Sequence, residues 1–331
     1  MVCAKKIIIL IVAICWIFLA ACSAPPESEK EGEKDMGYDH YAVNMNTDFA
    51  PTDTLENGDG KTARVILLIG QSNASGASVN EYLKLAVGEE SYARYAAGTE
   101  NVLINYCIDN HGATSEGEFV PVDLTCGAAD GFFGPEVGMA EVLSEEFPDE
   151  KLFILKFTMS GYSLNYHWLY HYERASVYSA FKIFVDTYMK ELCDHGYEPT
   201  LDAVCWMQGE SDTTEAKAAR YYENTEAFVS YIREDFSKYA GEGGIYFIDA
   251  GISSSPYCEP GYPTVNEAKR QFSLTSEKNI YFSTIEAGLT TLYEPDYAPD
   301  LGHYDALSEL ELGRIFAREI LKIYRGSEVE K

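Results

Sequence analysis

The chain has 331 residues and a formal net charge of −28, from 53 acidic and 25 basic residues. A surface of this sign repels phosphate backbones, so the composition argues against nucleic-acid binding. After a leader and a polar segment, about 270 residues remain, which is enough to bury the core of one α/β domain.

The first residues have the pattern of an export signal. Lys5 and Lys6 precede an apolar stretch from Ile7 to Ala21, as in the charged and apolar parts of a signal peptide. Cys22 follows Leu-Ala-Ala, and this sequence resembles the lipobox of bacterial lipoproteins. The resemblance implies a signal peptide over 1–21, a lipid on Cys22, and an exported protein anchored to the membrane at the cell surface or in the periplasm. The alternative is an ordinary signal peptide or membrane anchor.

Residues 22–61 are rich in Pro, Glu, Lys, Asp, Asn and Gly. Such a segment has too little apolar surface to offset the entropy of ordering. We therefore predict a flexible tether over 22–61 and a single domain over 62–326. No later run is long and apolar enough to span a bilayer.

Apolar β-type runs alternate with helical patterns through the domain. The predicted strands are Arg64–Ile69, Val102–Ile108, Leu152–Thr158, Ala203–Met207, Ile245–Ala250 and Ile280–Ile285. The predicted helices are Gly134–Glu146, Ser176–His195, Glu215–Tyr239, Thr264–Ser276 and Ser308–Tyr324. This alternation predicts a parallel sheet that is covered by helices on both faces. The stretch 88–134 is less regular, and we expect mostly long loops there.

The cysteine and histidine spacings do not indicate a metal site. The cysteines after Cys22 are Cys107, Cys126, Cys193, Cys205 and Cys258. Their number is odd and they include no C-x-x-C pair, which argues against zinc. His167 and His171 are four residues apart, but no third ligand is evident. Cys107 and Cys126 flank a loop, and whether they form a disulfide is open.

The segment Gly-Gln-Ser-Asn at 70–73 directly follows the first predicted strand. A glycine at that point lets the chain turn sharply and leaves Ser72 at the carboxyl end of the strand, where open α/β sheets bind their ligands. A serine there, with a histidine within reach, is a candidate nucleophile. The alternative is a polar turn in which Ser72 or Asn73 caps a helix.

Asp300 and His303 lie near the other end of the domain, before the last predicted helix. In a tight turn the carboxylate of Asp300 would accept a hydrogen bond from Nδ1–H of His303. The Nε2 atom would then be left to take the proton of Ser72. The alternative for His303 is a helix-entry residue with a satisfied ring.

Acyl transfer also needs hydrogen-bond donors for the developing oxyanion. The predicted donors are the backbone N–H groups of Ser72 and Gly161 and the carboxamide of Gln208. Gly161 and Gln208 each follow a predicted strand, which places them at the same edge of the sheet as Ser72. The alternative for Gln208 is a hydrogen bond to a loop carbonyl.

Aromatic residues are concentrated between Tyr162 and Tyr172. The ring faces of Tyr162 and Trp168 could stack on the apolar faces of sugars while their polar atoms form hydrogen bonds. The alternative is that these rings pack in the core.

Together these segments resemble the SGNH hydrolase superfamily, in particular its sialate O-acetylesterase and acetylxylan esterase branch of carbohydrate esterases. The matching pieces are 70–73, Leu155-Lys156 with 161–164, Trp206-Met207-Gln208-Gly209-Glu210-Ser211-Asp212, Asp300-x-x-His303 and Leu312-Gly313. The resemblance implies a flavodoxin-like three-layer α/β/α sandwich with a central parallel sheet. It also implies ester hydrolysis without a metal or another cofactor.

The resemblance implies a role for each of these residues. Ser72 is the nucleophile, His303 the base and Asp300 the orienting acid, with Asp305 and Glu210 as less favoured alternatives to Asp300. Ser72, Gly161 and Gln208 form the oxyanion hole. The side chains expected to bind substrate are those of Gln71, Asn73, Tyr162, Trp168 and Glu210.

We therefore expect a serine esterase that removes O-acetyl groups from carbohydrates through an acyl-enzyme. The expected substrates are acetylated xylan-type glycans or O-acetyl sialic acid. The alternatives are a non-catalytic glycan-binding lipoprotein on an esterase scaffold, or a lipase or thioesterase of the same superfamily. The α/β-hydrolase fold is disfavoured, because Ala74 replaces the last glycine of its G-x-S-x-G motif.

Overall fold

The structure is a computed structural model that describes residues 43–292 and 300–329. Its strands are β1 (Thr62–Gly70), β2 (Ser78–Val79), β3 (Thr99–Ile108), β4 (Ala113–Thr114), β5 (Val120–Val122), β6 (Phe132–Phe133), β7 (Leu152–Thr158), β8 (Leu169–Tyr170), β9 (Glu173–Arg174), β10 (Glu198–Met207), β11 (Tyr246–Ala250) and β12 (Asn279–Phe282). Its α-helices are α1 (Ser72–Ser75), α2 (Asn80–Ala97), α3 (Pro135–Glu146), α4 (Ser176–Asp194), α5 (Glu215–Ala218), α6 (Tyr221–Asp235), α7 (Tyr262–Ser273) and α8 (Ala306–Val329).

The central sheet has the strand order β12-β11-β10-β1-β7-β3-β4, with β5 also paired to β3. The strands from β12 to β3 are parallel, and β4 and β5 are antiparallel to β3. This confirms the predicted α/β class and its central, mostly parallel sheet. In the flavodoxin order the second parallel strand lies beside the first, whereas here β7 separates β3 from β1.

The strand β1 lies in the middle of the sheet because its sequence is apolar on both faces. The run Val65–Ile69 is fully buried, as expected for a parallel strand covered by helices on both sides. The chain turns to one side of β1 to form β3 and β7, and to the other side to form β10, β11 and β12. The carboxyl end of β1 is therefore the point at which the strand order reverses, which is where ligands bind in such sheets.

Helices flank the sheet in groups. The helix α8 packs against α3 and α2, while α6 packs against α7, and α4 contacts β7 and β10. A buried ion pair ties the first group to the sheet, because Nζ of Lys156 in β7 lies 2.7 Å from Oε2 of Glu136 in α3. Nζ also donates to the carbonyl of Cys126 at 2.8 Å, so two of the three N–H donors of this buried ammonium are bonded.

Two predicted elements differ from the structure. The predicted helix over 215–239 is divided into α5, α6 and a short 3₁₀ turn at Ser237–Tyr239. The stretch 88–134 was expected to form loops, but it contains the end of α2 as well as β4, β5 and β6. The sequence pattern of α2 is weak, because only Leu83 is buried and Gly88 interrupts the helix with a φ of +81°.

The prediction of a flexible tether is wrong for residues 43–61. Val43 N–H donates to Oγ of Ser176 at 3.0 Å, and the ring of Phe49 packs edge-on against Phe184 at 5.3 Å between centroids. Further along, Gly58 N–H donates to a backbone carbonyl at the end of α4 at 2.8 Å. A few apolar side chains and backbone hydrogen bonds are therefore enough to hold this polar segment on the domain.

The predicted signal peptide, Cys22 and the first part of the predicted tether lie outside the described residues. Within 43–292 and 300–329, no helix has the length and apolar character that a membrane crossing requires. Over the same ranges, no group of three or more His, Cys, Asp or Glu side chains could hold a metal ion. Cys107 and Cys126 are buried thiols and do not form a disulfide.

Candidate active site

Ser72 begins the short helix α1 directly after β1. The turn between them depends on Gly70, whose φ is +146°. A Cβ atom at that position would lie 2.0 Å from the carbonyl oxygen of Met207, so no other residue fits there. Gln71 N–H donates to the same oxygen at 3.0 Å. The sharp turn predicted from the sequence is therefore present, and it leaves Ser72 at the carboxyl edge of the sheet.

The predicted contact between Asp300 and His303 is present. Nδ1 of His303 donates to Oδ2 of Asp300 at 2.7 Å, and the Asp300 carboxylate also accepts from Gly302 N–H at 2.8 Å. Burial raises the pKa of Asp300, but the hydrogen bond from His303 and the charge of its ring lower the pKa more, so it lies below its usual range. The carboxylate is therefore ionised at neutral pH and fixes Nδ1 as the protonated nitrogen.

The two alternatives to Asp300 are engaged elsewhere. Asp305 precedes α8, and its Oδ1 accepts the backbone N–H of Ser308 at 3.0 Å, which is the geometry of a helix cap. Glu210 accepts from Asn73. Asp300 is bonded to the imidazole through Nδ1 of His303.

Asn73 brings the two ends of the domain together. Its Oδ1 accepts the backbone N–H of Tyr304 at 3.1 Å, and its Nδ2 donates to the carbonyl of Gly302 at 3.3 Å. The residue after Ser72 is therefore bonded to the residues before and after His303. Asn73 and Tyr304 are 231 positions apart in the sequence. Their hydrogen bond brings the neighbouring residues Ser72 and His303 to the same edge of the sheet.

The predicted backbone donors of the oxyanion hole have no competing partner. Within the described ranges, neither Ser72 N–H nor Gly161 N–H forms a hydrogen bond. Gly161 has a φ of +77°, which an L side chain rarely adopts. The preceding Ser160 is held to α1, since its Oγ donates to Oγ of Ser75 at 3.1 Å. The segment after β7 is therefore fixed against the helix that carries Ser72.

Gln208 does not fit the role predicted for it. Its Nε2 donates to Oδ2 of Asp212 at 2.6 Å and to the carbonyl of Tyr162 at 3.2 Å. A carboxamide has two N–H donors, so both are used within the protein and none is left for an oxyanion. Its Oε1 accepts from the Tyr221 hydroxyl at 2.9 Å. The structure corrects the prediction, because Gln208 is fully buried and fixes the backbone beside Gly161.

Asn73 and Glu210 were predicted to bind substrate, and in the structure the two side chains are bonded to each other inside the protein. Each is almost fully buried, at 2% and 4% exposure, and Nδ2 of Asn73 donates to Oε1 of Glu210 at 2.6 Å. Gln71 is also buried, and its Oε1 accepts the N–H groups of Gly209 and Ser211 at 3.3 and 3.2 Å. Its Nε2 has no hydrogen bond within the described part of the chain, so a substrate contact for Gln71 stays a prediction.

Trp168 is a core residue, which corrects its prediction as a sugar-binding ring. Its side chain is fully buried and meets Trp206 and Phe228 at centroid distances of 5.2 and 5.5 Å. Tyr162 is different. It is partly exposed directly after Gly161, and its ring stacks on His167 at 4.5 Å with an interplanar angle of 27°.

His167 is held in a neutral state beneath Tyr162. Its Nδ1 accepts the backbone N–H of Ser163 at 3.0 Å. Burial lowers the pKa of His167 to about 4, and the positive charge of Lys217 adds to this. His171, the second histidine of the metal-like spacing, is exposed and has a φ of +47°.

Sequence reasoning missed the turn Asp109–His111, which follows β3. The side chain of Asn110 forms two hydrogen bonds with the backbone of Ser160. Its Nδ2 donates to the carbonyl at 2.7 Å, and its Oδ1 accepts the N–H at 3.1 Å. Burial lowers the pKa of His111, and the charge of His303 lowers it further, so the two rings are electrostatic neighbours. The sequence contained a signal for this turn, because it follows a predicted parallel strand and therefore lies at the carboxyl edge of the sheet.

Comparison with known proteins identifies the family. The family model of the carbohydrate esterases described as sialic acid-specific acetylesterase matches residues 62–322. The chain belongs to this family. No curated protein matches this member of the carbohydrate esterase family.

Solved structures agree with the fold of this carbohydrate esterase. A crystal structure of a protein from Arabidopsis thaliana is 17% identical, with a TM-score of 0.55, over 78% of this chain and 98% of its own. The crystal structure of NanS is 15% identical, with a TM-score of 0.56, over 82% and 99% of the two chains. At these identities the similarity shows a shared architecture, which spans 78–82% of this chain and 98–99% of each solved structure.

Proposed function

We propose that this protein is a serine esterase that removes O-acetyl groups from carbohydrates. The observation that carries the proposal is the hydrogen bond between Asp300 and His303 at the edge of the sheet that also carries Ser72. A serine, a histidine and a carboxylate at one edge form the constellation that activates a hydroxyl for acyl transfer. Membership in a carbohydrate esterase family supports the same class of reaction.

In the proposed mechanism, Oγ of Ser72 attacks the acetyl carbonyl while Nε2 of His303 takes its proton. Asp300 keeps Nδ1 protonated and stabilises the imidazolium. The oxyanion accepts hydrogen bonds from Ser72 N–H and Gly161 N–H. The sugar alcohol leaves with the proton from Nε2, and an acetyl ester remains on Ser72. Water, deprotonated by His303, then attacks this ester and releases acetate and the free serine.

The sugar is proposed to lie against Tyr162. This ring follows the proposed oxyanion donor Gly161 directly and is held flat on His167. Aromatic faces pack on the apolar faces of sugar rings, while the phenol hydroxyl forms hydrogen bonds. Lys217 adds a positive charge nearby, because this charge acts on His167, the ring on which Tyr162 stacks.

The test is acetate release from acetylated xylan, from O-acetyl sialic acid and from p-nitrophenyl esters of increasing chain length. We expect hydrolysis of acetyl esters, a sharp decline beyond butyrate, and no turnover by Ser72→Ala with an unchanged melting temperature. Glycan binding without turnover over the whole panel would show a binding protein instead. A rate maximum beyond butyrate would show a lipase or thioesterase.

We also propose that the protein is exported and lipid-anchored through Cys22. The apolar stretch and the lipobox-like sequence before Cys22 support this. Metabolic labelling with an alkyne fatty acid should mark the wild-type protein in the membrane fraction. Cys22→Ala should lose the label, and labelling that persists in this variant would reject the lipid site.

A further inference from the structure

The residues on either side of Ser72 each hold a different loop. Asn73 bonds to both neighbours of His303 and, through Nδ2, to Oε1 of Glu210. Gln71 accepts the backbone N–H groups on either side of Glu210. The loop after β10 and the loop before α8 are therefore tied to the two residues that flank the proposed nucleophile.

The pairing of Asn73 with Glu210 fixes the orientation of the amide. A carboxylate accepts hydrogen bonds but cannot donate them, so it selects the orientation in which Nδ2 faces Glu210 and Oδ1 faces Tyr304. In the opposite orientation the amide oxygen would face the carboxylate and Nδ2 would face a backbone N–H. The bond to Glu210 is short, at 2.6 Å.

These contacts lie inside the protein. Asn73 and Glu210 are almost fully buried, and Asn73 uses both N–H donors and its carbonyl oxygen within the protein. Asn73 contacts the loop that carries His303 through the backbone of Gly302 and Tyr304. His303 lies between these two residues in the sequence. A side chain in this place acts on His303 by setting where its backbone lies.

We propose that Asn73 and Glu210 are a positioning pair that sets the distance between Ser72 and His303, and that neither residue binds substrate. The proposal rests on the proposed esterase function. Proton transfer requires the hydroxyl and the imidazole to be within hydrogen-bond reach. A displacement of about 1 Å in such a geometry can lower the rate by about 100-fold.

The chain offers a matched control at the opposite edge of the sheet. Asn279, at the start of β12, is also buried and also makes three side-chain hydrogen bonds, to Phe272, Thr275 and Arg233. Asn279→Ala removes as many bonds as Asn73→Ala without touching the carboxyl edge. A general loss of packing would affect both variants, whereas a positioning role affects only Asn73.

The experiment measures kcat and KM for p-nitrophenyl acetate, together with the rate of inactivation by a fluorophosphonate that labels activated serines. We expect Asn73→Ala to lower kcat and the labelling rate by about 100-fold, with KM within about twofold. Glu210→Gln keeps an oxygen that can accept from Asn73 and should retain at least about a tenth of the wild-type kcat. Asn279→Ala should keep both rates.

A reversed pair tests the hydrogen bond itself and covers the case in which Asn73→Ala does not fold. Asn73→Asp keeps the acceptor for Tyr304 N–H but places a carboxylate against Glu210. Combining it with Glu210→Gln supplies an amide that can donate to the new carboxylate. We expect the double variant to exceed Asn73→Asp by at least about tenfold in kcat.

Three results would overturn the positioning role. These are wild-type kcat and labelling in folded Asn73→Ala, a higher KM at unchanged kcat as for a substrate contact, and no gain in the double variant. Failure of the proposed function is distinguishable. In that case the wild-type protein itself would hydrolyse no ester and would not react with the fluorophosphonate.

Discussion

The carboxyl edge around Ser72 and the aromatic layer around Trp168 are both buried, but they are held in different ways. At the edge, side chains such as Asn73 are fixed by directional hydrogen bonds between loops. In the layer, Trp168 is surrounded by Phe157, Phe181, Trp206 and Phe228, and the contacts are between ring faces and edges.

This difference separates function from stability. A change in a hydrogen-bonded edge displaces the reacting groups, so it should lower the rate before it lowers the stability. An aromatic layer contributes to the free energy of unfolding through its buried apolar area. A change there should lower the stability, while the molecules that remain folded keep their catalytic rate. The following variants test this separation.

Among these variants, the largest effect is expected for His303→Ala. Removing the proposed base should lower kcat/KM for p-nitrophenyl acetate by at least about 1,000-fold, because no other group then takes the Ser72 proton. The melting temperature should change little, since the loop remains anchored by Asn73. Steady-state kinetics and a thermal melt check both parts, and a rate within tenfold of the wild type would exclude His303 as the base.

Trp168→Ala should show the opposite behaviour. Loss of a fully buried indole costs about 3–5 kcal/mol of unfolding free energy, because a cavity replaces its ring contacts. Urea unfolding measures the loss, and kcat per folded molecule, determined well below the transition, should stay within about threefold of the wild type. A stable variant with a raised KM for sugar esters would restore Trp168 as a substrate contact.

His167→Asn should reduce the sensitivity of the fold to acid. The pKa of His167 is about 4 in the fold and about 6.5 when unfolded, so between these values the unfolded chain binds more protons. Stability therefore falls as the pH drops through this window, by up to about 3 kcal/mol. The asparagine amide can still accept from Ser163 but does not titrate. Urea unfolding at pH 7 and pH 4.5 should show a smaller difference for the variant than for the wild type.

The smallest effect is expected for Tyr162→Ala. Loss of one aromatic contact is worth about 1 kcal/mol, so KM for an acetylated sugar should rise about fivefold while KM for p-nitrophenyl acetate changes less. Tyr172→Ala is the matched control, since that ring is 45% exposed in the same segment. Equal effects of the two substitutions would argue against a specific sugar contact at Tyr162.

The sequence was sufficient to predict the sheet and the edge where the polar segments meet. Continuous apolar runs such as Val65–Ile69 are stable as buried strands in the middle of an α/β sheet. The polar residues that directly follow such strands therefore lie at the carboxyl edge, where ligands bind. The contact between Asp300 and His303 was predictable for a related reason, because it depends on a local turn of four residues.

The partners of buried polar groups were not predictable in the same way. Nothing in the sequence near Gln208 shows that Asp212 and the Tyr162 carbonyl use both of its donors. Trp168 has the composition of a sugar-binding ring, and only the packing of α4 and α6 shows that it is enclosed. The placement of Phe49 likewise depends on contacts with the distant rings of Phe184 and Tyr188, so a polar composition alone predicted a tether.

The central claim is that Ser72 carries the acetyl group after His303 removes its proton. The most direct test is to mix the protein with excess p-nitrophenyl acetate, quench in acid during the first turnovers and locate the acetyl group by peptide mass spectrometry. We predict a 42 Da addition on the peptide that contains Ser72, formed rapidly in the wild type and at least about 1,000-fold more slowly in His303→Ala. Acetylation of a different residue, or turnover without any acetylated peptide and equally fast in Ser72→Ala, would contradict the claim.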